Sequence, residues 1–288
     1  MQIDATTADA LPLLTEGASG SGVVLAQSLL NRDGALLDLD GAFGPGTDAA
    51  VRACQARHGL DADGSIGART WALLDGLPEP CPGVHTRAVT FIVQQEVGSQ
   101  AAYDALYTRP AWPGGQSGIT IGIGYDLRFA ADLIGDWGPY LSANDLDALG
   151  LWRGEAGSAA GAAALHAIVV PWDAAWSVFA TRTLPATLRA THRAFPGLDR
   201  LPLLSAGALV SLVYNRGPAT SGPNREQMGQ IRDAVQRGEP SAVPGLLRAM
   251  TRLWPDSPAL RTRRQQEADL FAEGLQEGVQ AHVGSSQT

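Results

Sequence analysis

Several kinds of residue are scarce in this sequence of 288 residues, and each scarcity argues against a class of protein. Two cysteines are too few for a scaffold built on disulfides. No apolar run is long enough to span a bilayer, so stable insertion into a membrane is not expected. Lysine is absent, and the 21 basic residues, all arginine, are outnumbered by 29 acidic ones. The resulting net charge of −8 argues against nucleic acid as a main partner.

Patterns typical of metal sites are also missing. His166 and His192 lack the spacing of metal ligands. No HExxH, CxxC or acidic calcium-binding loop occurs anywhere in the sequence. We therefore expect no metal and no other cofactor.

The length of the chain and its 45% hydrophobic content allow two domains with their own cores. A segment with three prolines separates them and predicts a short, stiff linker over residues 78–84. We therefore predict a first domain over residues 1–77 and a second over residues 85–273. The remaining residues, 274–288, are rich in glycine, serine and glutamine and are expected to form a flexible tail.

The first predicted domain contains the same turn sequence twice. The pattern Asp-Gly-x-(Phe or Ile)-Gly-x-x-Thr occurs at residues 40–47 and again at residues 63–70. In each copy, glycine can make the turn and threonine can cap the helix that follows. Apolar residues at helical spacing before, between and after the turns predict a bundle of three helices.

This domain resembles the peptidoglycan-binding domain type 1 over nearly all of its length. The matching positions are Gly17, Gly22, Val23, Gln27, Leu30, Asp40, Gly41, Phe43, Gly44, Thr47, Ala50, Val51, Gln55, Gly59, Leu60, Asp63, Gly64, Gly67, Thr70, Trp71 and Leu74. The resemblance implies that peptidoglycan is the partner, with its peptide or glycan parts in a groove between the helices. Cys54 departs from the family, in which an aromatic residue usually precedes the glutamine, and its pairing with Cys81 is left open.

The second domain begins with a helix that carries an acidic residue on its apolar face. Glu96 follows Val89, Ile92 and Val93 at helical spacing, and Gly98 predicts the end of the helix two residues later. An apolar environment and the negative end of the helix dipole both favour the protonated form of a carboxyl group. A carboxyl group that is protonated near neutral pH can act as a general acid.

After a polar loop, the sequence Thr-Ile-Gly-Ile-Gly begins at Thr120. Its β-branched residues and glycines predict a short strand that allows close approach of the backbone. A glutamate at a helix end, a loop and this strand together resemble the phage-type (T4-like) lysozymes. The resemblance implies that Glu96 is the general acid and that the hydroxyl group of Thr120 helps to position the attacking water.

Two aspartates are candidates for the second carboxylate of the reaction. The lysozyme family usually has an aspartate at positions that correspond here to Ala105, counted from the glutamate, or Gly114, counted from the threonine. Asp104 lies near the expected place. Asp126 follows Thr120 by six residues, so a strand would place both on one face, and some bacteriocin relatives have this order of Glu, Thr and Asp. We prefer Asp126 and keep Asp104 as the alternative.

The resemblance also implies residues that bind the substrate. An apolar helix ends in Tyr-Asn-x-Gly, which phage-type lysozymes share with lytic transglycosylases, so Tyr214 and Asn215 would line the glycan cleft. Tyr125 stands where most family members have a histidine and is assigned to substrate binding. Trp112 and Trp137, in predicted loops near the site, are candidates for stacking against a sugar.

The last predicted helix also resembles its counterpart in the lysozyme family. It contains the run Leu-Arg-Thr-Arg-Arg-Gln-Gln-Glu-Ala-Asp-Leu-Phe. Within this run Glu267 lies three and four positions after Arg264 and Arg263, so it can pair with either of them. We expect these three residues to be structural.

Together these features predict a mainly α protein, with an α+β lysozyme-like catalytic domain preceded by a three-helix domain. The implied activity is hydrolysis of the β-1,4 bond between N-acetylmuramic acid and N-acetylglucosamine, with inversion, by a monomer. The alternatives are a lytic transglycosylase and a non-catalytic wall-binding protein on a lysozyme scaffold. Because no secretory signal is visible, we expect release to the periplasm or wall by holin-type lysis, as for an endolysin, or by a dedicated secretion system.

Overall fold

The computed structural model describes residues 11–285, and its side chains up to residue 278. Residues 1–10, where the predicted first domain starts, and residues 286–288, at the end of the predicted tail, lie outside the described part. The chain divides into two compact units, Met1–Pro80 and Cys81–Thr288. This division falls inside the proline-rich segment predicted as the linker.

The first unit is built on three helices, as the repeated turns predict. They are α1 (Ser21–Arg32), α2 (Pro45–Arg57) and α3 (Ala68–Gly76). Phe43 and Ile66, one from each repeated turn, are buried between the helices together with Trp71. The indole N–H of Trp71 donates a hydrogen bond to the carbonyl oxygen of Pro12 (2.9 Å). This bond fixes the segment before α1 against the core.

A buried glutamine side chain holds the first of the two turns. The carboxamide nitrogen of Gln27 donates to the carboxylate of Asp40 (2.7 Å), the carbonyl oxygen of Ala42 (3.2 Å) and the hydroxyl oxygen of Thr47 (3.3 Å). Its carboxamide oxygen accepts the backbone N–H of Gly41 (3.0 Å), a residue with a φ of 70°. One side chain from α1 thus fixes the backbone of the turn, through both the nitrogen and the oxygen of its carboxamide group.

The second turn repeats this arrangement with a glutamine from α2. Gln55 donates to Asp63 (3.0 Å), to the carbonyl oxygen of Ser65 (2.9 Å) and to Thr70 (3.1 Å), and it accepts the N–H of Gly64 (3.0 Å). The predicted role of the two threonines as helix caps is therefore wrong. Glycines cap both helices without a side-chain hydrogen bond, and each threonine hydroxyl instead completes the hydrogen bonds of its glutamine.

The second unit is mainly helical with one small sheet, as predicted. Its helices up to the middle of the unit are α4 (Thr86–Val97), α5 (Gln100–Leu106), α6 (Leu133–Trp137), α7 (Ala143–Gly150), α8 (Ala159–Ala164) and α9 (Trp172–Val178). The later ones are α10 (Leu184–Ala194), α11 (Leu203–Arg216), α12 (Glu226–Arg237), α13 (Val243–Ala249) and α14 (Pro258–Ser285). None of the described helices is both long and apolar enough to cross a membrane.

The sheet consists of two short antiparallel strands, β1 (Thr120–Ile121) and β2 (Tyr125–Asp126), joined by a turn with a glycine at each end. Gly122 and Gly124 have φ angles of 59° and 69°, in the left-handed region that favours glycine. There is also no space for a side chain, because a Cβ atom on Gly124 would lie 2.4 Å from the hydroxyl oxygen of Tyr214. The Gly-Ile-Gly sequence is therefore required both by the turn and by the close packing of α11.

A turn of π-helix, Phe179–Thr183, interrupts the long helical segment formed by α9 and α10. Pro185 follows two residues after the π-turn, at the second position of α10. Proline has no N–H to donate, and its ring clashes with the carbonyl group one turn earlier, so a regular α-helix cannot continue through it. The wider π-turn accommodates this interruption.

α11 is the central helix of the second unit, with every residue from 204 to 213 buried. Helices α4, α10 and α14 pack against it. α14 does not end near Glu273, as the sequence suggested, but continues to Ser285 through most of the predicted flexible tail. Gly274 has a structural role there, because a Cβ atom at this position would lie 2.5 Å from the backbone nitrogen of Ser205.

Candidate functional site

Glu96 lies in the last turn of α4, and Gly98 with a φ of 77° ends the helix as predicted. The Glu96 side chain is 24% exposed and accepts a hydrogen bond at Oε1 from the guanidinium group of Arg263 (2.7 Å), which is itself only 5% exposed. The predicted apolar environment of Glu96 is therefore wrong. The carboxyl group faces a nearly buried cation, which holds one of its two oxygens in place.

Behind this ion pair lies a second, fully buried one. Glu267 is 0% exposed and accepts hydrogen bonds from Arg264 (2.9 Å) and from the hydroxyl group of Ser211 (2.7 Å), with Arg263 at 3.4 Å. Burial raises the pKa of Glu267, and the charges of Arg264 and Arg263 oppose that increase. The predicted pairing of Glu267 with both arginines is confirmed, and these pairs anchor Arg263 beside Glu96.

Tyr214 connects α11 to the turn between the two strands. Its hydroxyl group donates to the carbonyl oxygen of Ile123 (2.7 Å). Burial raises the pKa of Tyr214, and the negative charge of Glu96 raises it further, so the phenol lies within electrostatic reach of that carboxylate. Asn215 is exposed, and its carboxamide oxygen accepts a hydrogen bond from Arg264 (3.1 Å).

Thr120 and Asp126 are directly opposite each other in the two-stranded sheet. Opposed residues in antiparallel strands project from the same face, as the sequence spacing predicts. Both carboxylate oxygens of Asp126 already accept backbone hydrogen bonds, Oδ2 from Gly118 (3.1 Å) and Oδ1 from Arg128 (2.8 Å). Asp126 therefore caps the 3-10 turn that follows, and its oxygens keep two of their roughly four acceptor positions.

The alternative aspartate is in a different environment. Asp104 is exposed on the short helix α5. Within the described part of the chain, it forms no ion pair and no side-chain hydrogen bond. Its carboxylate is thus unconstrained, in contrast to that of Asp126.

Aromatic residues near the strands differ in their availability to a ligand. The hydroxyl group of Tyr125 donates to the carboxylate of Asp136 (2.8 Å), and burial is the main cause that raises the pKa of Tyr125. Trp112 is half-buried, and its indole N–H donates to the carbonyl oxygen of Ser117 (3.2 Å). Trp137 is fully buried in α6, so the prediction that it stacks against a sugar is wrong.

A cleft of about 750 Å³ opens beside the strand β2. Of the predicted site residues, Tyr125, Asp126 and Tyr214 line it, whereas Glu96, Thr120 and the others do not. Its opposite wall comes from the π-turn and from α10, where it includes Arg182 and Arg189, residues that the sequence analysis missed. The signal that could have revealed this wall is Pro185, since an interrupted helix often marks a functional site.

The first unit has a smaller groove of about 360 Å³ beside its second turn. Gln55, Asp63 and Thr70, which hold that turn, contribute to its lining, and Arg69 brings a positive charge. The turn and the groove are therefore built from the same residues.

Comparison with known proteins bears on this first unit. Residues 19–74 match the family model of the peptidoglycan binding domain. The N-terminal unit is a peptidoglycan-binding domain. The match associates the protein with the bacterial cell wall through this domain.

One curated relative is similar over a short segment. It is an uncharacterized protein in the bpoA1 3′ region of Kitasatospora aureofaciens, 44% identical over 66 residues. The similarity covers 22% of this chain and 56% of that protein, so the chain spans about half the length of the relative.

Proposed function

We propose that the protein is a muramidase that hydrolyses the β-1,4 bond between N-acetylmuramic acid and N-acetylglucosamine in peptidoglycan. The observation that carries the proposal is the carboxyl group of Glu96, which lies in the last turn of α4 and is held at one oxygen by Arg263. The peptidoglycan-binding domain on the same chain supports the choice of polymer.

In this reaction Glu96 protonates the oxygen of the leaving sugar. Its Oε1 atom is occupied by Arg263, whereas Oε2 has no partner among the described residues and is free to face the glycosidic oxygen. A general acid needs this kind of fixed position, because proton transfer requires a distance of about 2.6–3.2 Å between heavy atoms.

Thr120 and Asp126 hold the attacking water on the other face of the sugar. Their side chains share one face of the sheet, and the remaining acceptor positions of Asp126 can orient a water molecule. Attack by this water predicts inversion at the anomeric carbon, which requires roughly 6.5–9.5 Å between the two carboxyl groups. The peptidoglycan-binding domain raises the local concentration of the enzyme on the insoluble polymer.

The first test replaces the acid. Glu96→Gln keeps the shape of the side chain but cannot donate the carboxyl proton, so we expect lysis of purified sacculi to fall at least about 100-fold. Glu239→Gln, at an exposed position between α12 and α13 that lines neither cleft of this unit, is the matched control and should retain full activity. Release of reducing sugars is measured, and sedimentation with sacculi checks that wall binding is unchanged. An active Glu96→Gln variant would refute the proposed role.

The second test decides between the two aspartates. Asp126→Asn keeps the oxygen that caps the following turn but loses the acceptor for the N–H of Gly118, so thermal melting checks the fold while the activity is expected to fall. Asp104→Asn, on the exposed face of α5, should have a smaller effect. If Asp104→Asn is the inactive variant and Asp126→Asn is active, then Asp104 holds the water.

One observation favours a lytic transglycosylase as a second candidate. Both oxygens of Asp126 are used by backbone N–H groups, and a transglycosylase needs only the glutamate, since the sugar's own hydroxyl attacks. Mass spectrometry of the released sugars separates the two reactions. The muramidase product contains one added water, whereas the transglycosylase product is an anhydro-sugar without it.

A further inference from the structure

A second cleft in the C-terminal unit, of about 600 Å³, has no part in the proposed chemistry. It lies between the loop after α11, the first turn of α12 and the 3-10 turn Met250–Leu253. Polar side chains and backbone groups dominate its lining. Thr220 lines this cleft, and Pro218, two residues earlier, lines the larger cleft beside β2.

The cleft contains the uncapped start of a twelve-residue helix. α12 begins at Glu226 after Arg225, whose side chain makes no capping hydrogen bond. Within the described part of the chain, the backbone N–H groups of Glu226, Gln227 and Met228 have no acceptor. Three free N–H groups at the positive end of a helix favour a negatively charged group.

Side chains in the cleft also lack the partners that burial normally requires. Nη1 of Arg225 is buried without a hydrogen bond, although Nη2 donates to the carbonyl oxygen of Arg216 (2.6 Å). Gln227 is only 2% exposed, and its carboxamide forms no hydrogen bond with any described residue. A buried donor left without an acceptor, such as Nη1 of Arg225, destabilises the fold, so a ligand or ordered water is expected to satisfy it.

The charge of the cleft favours an anion. Arg225 and Arg252 contribute two guanidinium groups, and Arg252 is exposed with no acidic partner in the described part of the chain. The one acidic lining residue is Glu226, whose carboxylate accepts a hydrogen bond from Gln230 (3.2 Å) further along the helix. Burial and the nearby charge of Arg225 lower the pKa of Arg216, a further sign that positive charges are concentrated there.

We propose that this cleft binds an oxyanion through the first N–H groups of α12 and the side chains of Arg225, Gln227 and Arg252. In the cell wall, such a group is a carboxylate of the stem peptide or a phosphate of a wall polymer. This cellular source rests on the proposed function, whereas binding of an oxyanion does not. Pro218 lines the larger cleft and Thr220 lines this one, so a single residue of the chain, Ala219, lies between the two linings in sequence. A glycan in the larger cleft could therefore present its stem peptide here.

The test uses the full-length Glu96→Gln variant, labelled with 15N, so that wall chemistry plays no part in the result. Two probes are titrated separately, inorganic phosphate and the dipeptide N-acetyl-L-alanyl-D-glutamate. We expect saturable shifts of the backbone amide signals of Gln227 and Met228. Tighter binding of the dipeptide identifies the stem peptide as the source, and tighter binding of phosphate identifies a wall phosphate.

Matched variants separate a specific site from general attraction to positive charge. Arg252→Ala should raise the dissociation constant at least about fivefold, whereas Arg193→Ala, an exposed arginine outside this cleft, should leave it unchanged. Glu226→Gln removes the opposing negative charge and should tighten binding about two- to fivefold. The absence of saturable shifts with both probes, or equal weakening by the two arginine variants, would overturn the proposal.

Discussion

The ion pair between Arg263 and Glu96 joins two residues that are 167 positions apart. Arg263 also lies 3.4 Å from Glu267, so one nearly buried cation serves two acidic groups. The pairing is therefore a positioning device for Glu96 as well as a contribution to stability.

Arg263→Met is expected to destabilise the protein strongly, because it leaves Glu267 with one cation and Glu96 with none. Removing one partner of a buried ion pair costs about 3–5 kcal/mol. Arg248→Met is the matched control, since the Arg248–Asp269 pair is exposed and exposed pairs contribute about 0–1 kcal/mol. Urea denaturation at pH 7 measures both. Equal losses of unfolding free energy in the two variants would contradict the argument.

The two cysteines are free, buried thiols, which answers the question that the sequence left open. Burial, with a smaller contribution from the charge of Asp33, raises the pKa of Cys54 to about 12, and burial also raises the pKa of Cys81. Since the thiolate is the reactive form, neither should react with a disulfide reagent at pH 8 in the folded protein. Both should react in guanidinium chloride. Rapid labelling of the folded protein would show that the thiols are accessible.

At the scale of elements, the two turns of the peptidoglycan-binding domain show what a sequence pattern predicts and what it omits. The repeat of eight residues predicts two equivalent turns, and these occur. The glutamines that hold them were not identified in that role, because Gln27 precedes Asp40 by 13 residues and Gln55 precedes Asp63 by eight. Because the two separations differ, the sequence does not show that Gln27 and Gln55 have the same role. The equivalence is seen only when the helices are packed.

These turns predict a loss of stability in acid. Backbone N–H groups and the glutamines lower the pKa values of Asp40 and Asp63 below the ordinary value. An aspartate with a lowered pKa stabilises the fold above its unfolded pKa, about 3.9, and loses this effect as the pH falls through its folded pKa. We therefore expect the unfolding free energy of the first unit to fall below about pH 4.

The double variant Asp40→Asn/Asp63→Asn tests this linkage. Asparagine can still accept the backbone hydrogen bonds, but it carries no proton equilibrium in this range. Its stability should change less between about pH 5 and pH 2 than that of the unaltered protein. Hydrogen exchange of the amides of Ala42 and Ser65 reports on the turns directly. An unchanged pH dependence in the variant would show that other carboxylates govern acid unfolding.

At the scale of the whole molecule, the sequence predicted the mainly helical fold, and the division into two units falls within the proline-rich segment. Local spacing was sufficient for the helix of Glu96 and for the opposition of Thr120 and Asp126. The partners of Glu96 and the α10 wall of the cleft could not be predicted in this way. They come from segments far along the chain, and only packing against α11 brings them near the strands.

The division into two units predicts a difference between substrates. Under the proposed function, a chain of residues 81–288, with its fold checked by circular dichroism, should lose activity on sacculi, because it lacks the domain proposed to retain the protein on the polymer. On short soluble glycan fragments its rate should match that of the full chain. If the truncated chain also matches the full chain on sacculi, the first unit does not contribute to the proposed wall degradation.

The position of α14 in the sequence has a consequence for protein synthesis. α14 follows all the other described helices, so the ribosome makes α4, α11 and the strands before the helix that carries Arg263. During translation Glu96 therefore has no guanidinium partner, and α11 exposes the apolar side that α14 later covers. The nascent polypeptide acquires the arrangement proposed for catalysis only once this helix has left the exit tunnel, so a product truncated before residue 258 should lack the proposed activity.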